Sequence, residues 1–319
     1  MERVLLAAAL ACLSGAAFAQ AWPQKPVRIV IPIVAGGTTE LMLRLISPSM
    51  AEALGQQVLL ENRPGGSGIP ASESVARSAP DGYTVAFMTS SHTISVPLLN
   101  KSVTYDPFRD FSPIGPVLEP VTLLLAGAAS PAKSLRQMID YAKQNPGKLS
   151  YGSSGVGSSF QLRGEAIKIA GGIDILHVPY KGTTQAMQDA VGGRIDLSFG
   201  TPASTKPLRE SGKLVAIAVS NPSRFAALPD VPSLNELLPS YENIPSLFAL
   251  WGPPGLPQPI VRRLNGETLK AMETAKMRAW LEENGLVVEG RTPEDLARLH
   301  KKGFDTFRKI IAAVGIKPE

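Results

Sequence analysis

The sequence predicts an α/β protein of two domains joined by two crossing strands, with a cleft between them. Three observations carry this. Apolar, β-branched runs alternate with helical stretches along most of the chain, as strand–helix units of a parallel sheet require. A strand, a loop of glycine and hydroxyl residues, and a helix follow one another from Val27 to Leu54, and the same arrangement recurs from Leu149 to Ala170. The end of the chain reads as helices at about 257–273, 275–284 and 293–313 without strands of its own, so it packs back onto one series, the first being the natural host. The domains are then 20–123 plus 247–319, and 124–246.

Residues 1–19 stand apart from the fold. Glu2 and Arg3 precede an apolar run from Val4 to Leu13 that is too short to span a bilayer, and Ala17-Phe18-Ala19 has the A-x-A form of a secretory cleavage site, placing the cut after Ala19. The single cysteine, Cys12, lies within this leader, so the mature chain has neither a disulfide nor thiol chemistry. Its Ala9-Leu10-Ala11 context does not match a lipoprotein signal. The formal net charge is +5, with basic residues scattered rather than clustered, which argues against a nucleic-acid surface. An aromatic content of 6% argues against a sugar platform of stacked rings. No later segment is long and apolar enough for a membrane span.

Trp22-Pro23 and Pro26 form an extended lead-in. Val27 to Ile31 is a buried strand, Pro32 ends it, and Ala35-Gly36-Gly37 permits a tight turn into a helix capped by Thr38 or Thr39. Gly55 closes that helix. Val58-Leu59-Leu60 is a short strand, Glu61 to Gly68 a polar loop, Pro70 to Arg77 a helix, and Thr84 to Met88 a third strand that runs into Thr89-Ser90-Ser91-His92-Thr93. Tyr105 to Phe111 is irregular, Val121 to Leu125 a strand and Ser134 to Gln144 a helix. The second series starts at Leu149-Ser150-Tyr151 and continues through the loop Gly152 to Ser159, a helix to Ala170, a strand at Ile175–Val178, and the loop Pro179-Tyr180-Lys181-Gly182-Thr183-Thr184. Arg194–Phe199, containing Asp196, Leu214–Val219 and Leu247–Trp251 complete the strands.

In a parallel α/β sheet ligands sit beyond the carboxyl ends of the strands. The loops at 34–40, 89–93, 152–159 and 179–184 all follow strands, and three of them open helices. Backbone N–H groups at helix starts and Ser/Thr donors make these loops anion cradles. The candidate ligand-binding residues are therefore Val34, Ala35, Gly36, Gly37, Thr38, Thr39 and Glu40; Ser90, Ser91 and His92; Ser154, Gly155, Gly157, Ser158 and Ser159; Tyr180, Lys181, Gly182 and Thr183; and Asp196. His92 either donates to an anion or packs structurally, His177 is packed or hydrogen-bonded in its strand, and His300 is solvated among charged residues. No histidine pair has metal spacing, and the 152–159 loop fits neither the phosphate-binding templates nor G-x-S-x-G, since Val156 stands where that motif needs glycine. These residues point to binding of a small anion without chemistry, with no catalytic residue, metal or cofactor.

Taken together, Trp22-Pro23-Gln24-Lys25-Pro26-Val27-Arg28, Ala35-Gly36-Gly37, Glu61-Asn62-Arg63-Pro64-Gly65 with Gly68, Pro80-Asp81-Gly82-Tyr83, Asp106-Pro107 with Asp110-Phe111, Asn145-Pro146-Gly147, His177 to Gly182, Pro229-Asp230-Val231-Pro232 and Thr292-Pro293-Glu294 resemble the substrate-binding proteins of the tripartite tricarboxylate transporters, the Bug-type receptors. The resemblance covers essentially the whole mature chain. It implies a type II periplasmic-binding-protein-like fold with a Venus-flytrap cleft, a periplasmic monomer, and a small carboxylate ligand (a dicarboxylate, an amino acid or an aromatic acid) held by the 34–39, 154–159 and 179–184 loops. It also implies membrane transporter subunits as partners. A receptor that presents its closed form to a sensor protein, and less readily a periplasmic enzyme, are the alternatives. Four departures bear on specificity: Glu40 stands where the family usually has Asp, Gln161 where it has His, Ile33-Val34 where it often has an aromatic–Pro pair, and Ser246 where Trp is frequent. If Glu40 faces the cleft, it disfavours a second ligand carboxylate and favours an amine or hydroxyl.

Overall fold

The computed structural model describes residues 22–33 and 35–318, so the expected leader, its cleavage site after Ala19, and Val34 lie outside the described residues. The strands form two sheets. In the first, β1 (Val27–Ile31) buries every side chain except Arg28 and lies parallel to both β2 (Val58–Asn62) and β3 (Thr84–Thr89). Beyond β3 the pairing turns antiparallel through β4 (Ser112–Pro113), β5 (Val117–Pro120), β11 (Phe248–Gly252) and β12 (Leu286–Gly290), in the order β12-β5-β11-β3-β1-β2 with β4 on β11. The second sheet has the order β10-β6-β9-β7-β8. Its strands β7 (Ser150–Ser153), β8 (Leu176–Pro179) and β9 (Leu197–Gly200) run parallel, and β6 (Leu123–Gly127) and β10 (Leu214–Val219) run antiparallel to their neighbours.

The expectation of purely parallel sheets is therefore corrected to mixed ones. The parallel part of each sheet is where strand–loop–helix units follow one another. The antiparallel strands flank the two passages between the sheets, except β12, which comes from between the closing helices and pairs with β5. The chain passes from the first sheet to the second between Pro120 and Leu123, and comes back to the first at Phe248. Both β5 and β12 escaped the sequence reading, being only four and five residues long.

Helix α1 (Thr38–Leu54) turns Met42, Leu43, Ile46 and Met50 onto the first sheet and ends at Gly55, in the left-handed conformation as expected. Its N-cap is Gly37, without a side-chain cap, rather than Thr38 or Thr39. Helices α2 (Ile69–Ala76) and α3 (Val96–Leu99) complete this half, α3 being preceded by a π-helical turn at Ser91–Ser95. In the second half follow α4 (Leu135–Gln144), α5 (Ser159–Gly171), α6 (Thr183–Val191), α7 (Pro202–Glu210) and α8 (Leu234–Leu237).

The closing helices α9 (Gln258–Met272) and α10 (Ala275–Glu283) pack on the first sheet. The final helix α11 (Pro293–Val314) does not choose one host. Its Leu296 packs with Val30, Met88 and Trp251 of the first sheet, and its Phe307, Ile310 and Ile311 pack with Leu124, Tyr151 and Phe199 of the second. Between them, Gly303 lets the helix approach the returning segment so closely that a Cβ would lie 2.7 Å from Pro245 Cγ. His300, expected in solvent, is 2% exposed on the inner face of α11, where Nε2 shares a 2.9 Å hydrogen bond with the Thr93 carbonyl and the ring packs on Trp251 and Phe108.

A buried polar cluster occupies the crossing. Arg163 of α5 is completely buried; its Nη2 donates to the Ile244 carbonyl at 2.5 Å and to Ser246 Oγ at 3.3 Å, and lies 3.9 Å from Glu119 of β5. Glu119 in turn accepts from Asn243 Nδ2 at 3.0 Å. Burial pushes Glu119 up and Arg163 down; Arg163 and the Asn243 hydrogen bond oppose the rise in Glu119, and Tyr241 and Glu119 oppose the fall in Arg163.

Candidate functional site

The carboxyl ends of β1 and β3 in one sheet and of β7 and β9 in the other face a shared cavity of about 1170 Å³. Its wall on the first side is Thr38, Thr39, Thr89, Ser90, Ser91 and Ser95, followed by Val96 and Leu99. On the second side it is Ser154, Val156, Gly157, Ser158, Ser159 and Phe160. Ser246 and Phe248 form part of its floor.

The two opposing loops are built alike. Gly36 and Gly157 both have positive φ, +89° and +76°, which a side chain would oppose. The amide of each donates to the side chain four residues on: Gly36 N–H to Glu40 Oε2 and Gly157 N–H to Gln161 Oε1, at 2.5 and 2.6 Å. The two departures at 40 and 161 thus serve the same local purpose, folding the loop back over the first turn of its helix. Glu40 is 2% exposed and also accepts from Arg44 Nε at 2.7 Å. The Gly36 amide first, and then Arg44, hold its carboxyl below the usual carboxylate range. Glu40 is therefore turned onto its own loop and not toward the cavity. Glu40→Gln is expected to leave the rank order of bound acids unchanged; a reordered ranking in a thermal-shift panel would place this side chain in the cleft after all.

The other sequence-derived candidates divide. Thr38, Thr39, Ser90, Ser91, Ser154, Gly157, Ser158 and Ser159 are brought together on the cavity wall. Ala35, Gly36 and Gly37 form the turn behind Thr38, and the Gly36 amide is already engaged. The Ser158 hydroxyl is engaged too, donating to the Gly155 carbonyl at 2.7 Å and capping α5 by accepting from Gln161 N–H. Tyr180, Lys181, Gly182 and Thr183 adjoin the 153–155 loop, since Tyr180 N–H donates to the Ser153 carbonyl, but the wall is formed in front of them; Tyr180 OH donates to Asp189 at 2.9 Å. Asp196 does not belong with the site. It precedes β9 and accepts from the amide and hydroxyl of Ser150 at 2.8 Å, which ties the amino ends of β9 and β7 together at the far edge of the sheet.

His92 resolves to its structural alternative. It is 4% exposed; Nδ1 accepts from Thr89 N–H at 3.2 Å, and Gly68 lies so close that a Cβ there would meet the ring at 2.4 Å. Burial pushes its imidazole down to about 4, against the opposing effect of a hydrogen bond to the Pro32 backbone. Unfolded chains take up this proton near pH 6.5 while the fold refuses it until about 4, so the stabilisation is complete above 6.5 and is lost as the pH falls between those values. The difference corresponds to roughly 3 kcal/mol. Urea denaturation at pH 7 and pH 4.5 is expected to show a larger acid loss for the natural chain than for His92→Gln; equal losses would remove His92 from the account. His177 is hydrogen-bonded, sharing 2.7 Å with Ser153 Oγ, and Ser153 holds the Gly155 turn.

Sequence reasoning missed Val96, Leu99, Phe160, Phe248, Thr201 and Lys317 on the wall. Only Thr201-Pro202-Ala203-Ser204 offered a signal: it follows β9 and opens α7 with a reciprocal hydroxyl cap, the same pattern as the loops that were selected. Among the described residues no group of three or more His, Cys, Asp or Glu is placed to hold a metal ion. No helix among them is long and apolar enough to cross a membrane.

Residues 42–316 match the family model described as the tripartite tricarboxylate transporter family receptor. A UPF0065 protein of Bordetella pertussis is 33% identical over 313 residues, spanning 98% of this chain and 96% of that protein. Among solved structures, R. palustris Rpa4515 with adipate has 33% identity and a TM-score of 0.76 over 93% of this chain and 100% of its own. MatC from Rhodopseudomonas palustris, with bound malate, has 30% identity and a TM-score of 0.71 over 91% of this chain and 100% of its own. The two-sheet fold, the paired loops and these matches agree, and the chain belongs to the tripartite tricarboxylate transporter receptor family.

Proposed function

We infer that this protein is a periplasmic receptor that captures a small organic carboxylate and delivers it to the membrane subunits of a tripartite tricarboxylate-type transporter. The observation that carries this reading is the cavity between the two sheets, onto which α1 and α5 open from opposite sides through Thr38, Thr39, Ser158 and Ser159. First-turn amides of a helix lack intrahelical partners, and the helix dipole favours negative charge there. Two such termini converging from different sheets suit one carboxylate held between them. The adipate and malate found in the related R. palustris structures support the same ligand class.

On this reading the bodies 20–123 plus 247–319 and 124–246 close over the ligand as a monomer, by a hinge at the two crossings, and no bond is made or broken. Charge-assisted hydrogen bonds contribute about 1.5–3 kcal/mol each, so three or four of them support micromolar binding, near −8 kcal/mol, once ordering costs are met. A thermal-shift screen of organic acids is expected to give stabilisation that saturates with concentration. Absence of any shift across acids, amides and amino acids would sink the receptor reading.

A further inference from the structure

The wall of the cleft is chemically uneven. Hydroxyls line it where α1, α5 and α7 begin and along 89–95, and beside them lie large apolar side chains: Val96 and Leu99 from one side, Phe160 from the other, and Phe248. Leu99 reaches across to the opposing loop, its Cδ1 lying 2.9 Å from where a Cβ on Gly157 would stand. Phe160 is held in place by stacking on Phe199, with centroids 5.7 Å apart and planes 25° from parallel, while remaining partly open to the cavity. Among the described lining residues Lys317, exposed at the lip, is the one that carries a formal charge. The cleft therefore sets neutral hydroxyl-bearing helix starts beside a substantial apolar wall. Among the described lining residues no buried cation is placed to receive a second carboxylate, which would have to rely on neutral donors such as Thr201, Ser204 and Asn284 while displacing water from the apolar wall.

Resting on the receptor reading above, we propose that this cleft selects a monocarboxylate with a ring-sized apolar body over short dicarboxylates, with Phe160 as a specificity-determining residue. The carboxylate lies between the starts of α1 and α5, and the body lies against the apolar wall of Val96, Leu99, Phe160 and Phe248. The cavity is large enough for such a body, being somewhat above the usual range for small-ligand pockets before closure. Phe248 and Phe160 supply the large apolar contact area from which affinity for a ring arises.

Isothermal titration of the full chain with phenylacetate, cyclohexanecarboxylate, malate and adipate tests this. The two ring acids are expected to bind at least about tenfold more tightly than malate or adipate. In Phe160→Ser they lose about tenfold while malate changes by less than about twofold, and Phe160→Leu restores most of the loss. Tighter binding of any di- or tricarboxylate than of both ring acids overturns the proposal and leaves the receptor reading standing. Equal weakening of malate and the ring acids in Phe160→Ser overturns the role of Phe160. Failure of every acid, including those of the wider screen, overturns the receptor reading itself.

Discussion

Arg163→Leu is expected to destabilise the protein by about 3–5 kcal/mol, because it strands the Glu119 carboxyl in the interior without its cation. The guanidinium is fully buried, and it reaches both connections between the sheets at once: Glu119 on the outgoing strand, and Ile244 and Ser246 on the returning segment. Removing it uncovers three acceptors together. The second partner is the control. In Glu119→Gln with Arg163→Leu, no buried charge remains, and the double variant is expected to recover a large part of the loss, with an interaction energy of at least about 1 kcal/mol. Urea titrations of the four chains measure it. Strict additivity would show that the 3.9 Å separation is too long for the pair to interact and that Arg163 acts only through its carbonyl and hydroxyl contacts.

Gly164→Ala is expected to cost about 1–3 kcal/mol or more, although alanine is the better helix former. A Cβ on Gly164 would fall 2.2 Å from the ring of Tyr151, which has nowhere to go. Tyr151 is fully buried; its hydroxyl donates to Glu165 at 2.8 Å and reaches the Gln161 carbonyl at 3.1 Å, and its ring lies between His177 and Phe199. Displacing it moves the first turn of α5, so acid binding should weaken along with stability. Gly266→Ala supplies the contrast. It lies in α9 with nothing within 4 Å of the added methyl, and a gain of about 0.5–1 kcal/mol is expected there. Denaturant midpoints of the two variants should move in opposite directions. A neutral Gly164→Ala would mean that α5 can withdraw from the sheet at little cost.

Much of this architecture was legible because it is written in local patterns. Val27 to Ile31 and its glycine turn, the hydroxyl loops at 152–159 and 89–93, and the C-terminal helices are all read from neighbours in sequence. The mixed pairing of the sheets was not, since antiparallel partners such as Phe248 and Thr89 meet only through the long excursion into the second sheet. The same limit applied to single side chains. His300 sits among lysines and arginines in sequence, yet the helical period turns it inward while they face solvent. Glu40 and Gln161 looked like specificity residues because each departs from the residue usual in the family at its position. That each bonds a glycine amide four residues back depends on backbone angles that composition does not state. Hydroxyl loops pointed to the polar half of the cleft. Its apolar half, from Leu99, Phe160 and Phe248, is indistinguishable in sequence from ordinary core.

The path of α11 has a mechanical consequence. A helix of 22 residues is about 33 Å long and resists bending. Here one end is fastened to the first sheet by Leu296 and the other to the second by Phe307, Ile310 and Ile311, while Gly303 rests against Pro245. The two halves of the molecule are thus spanned by a stiff beam resting on a fulcrum. Such a linkage permits rotation about one line and opposes twist and shear, so the jaws would meet in the same register at each closure.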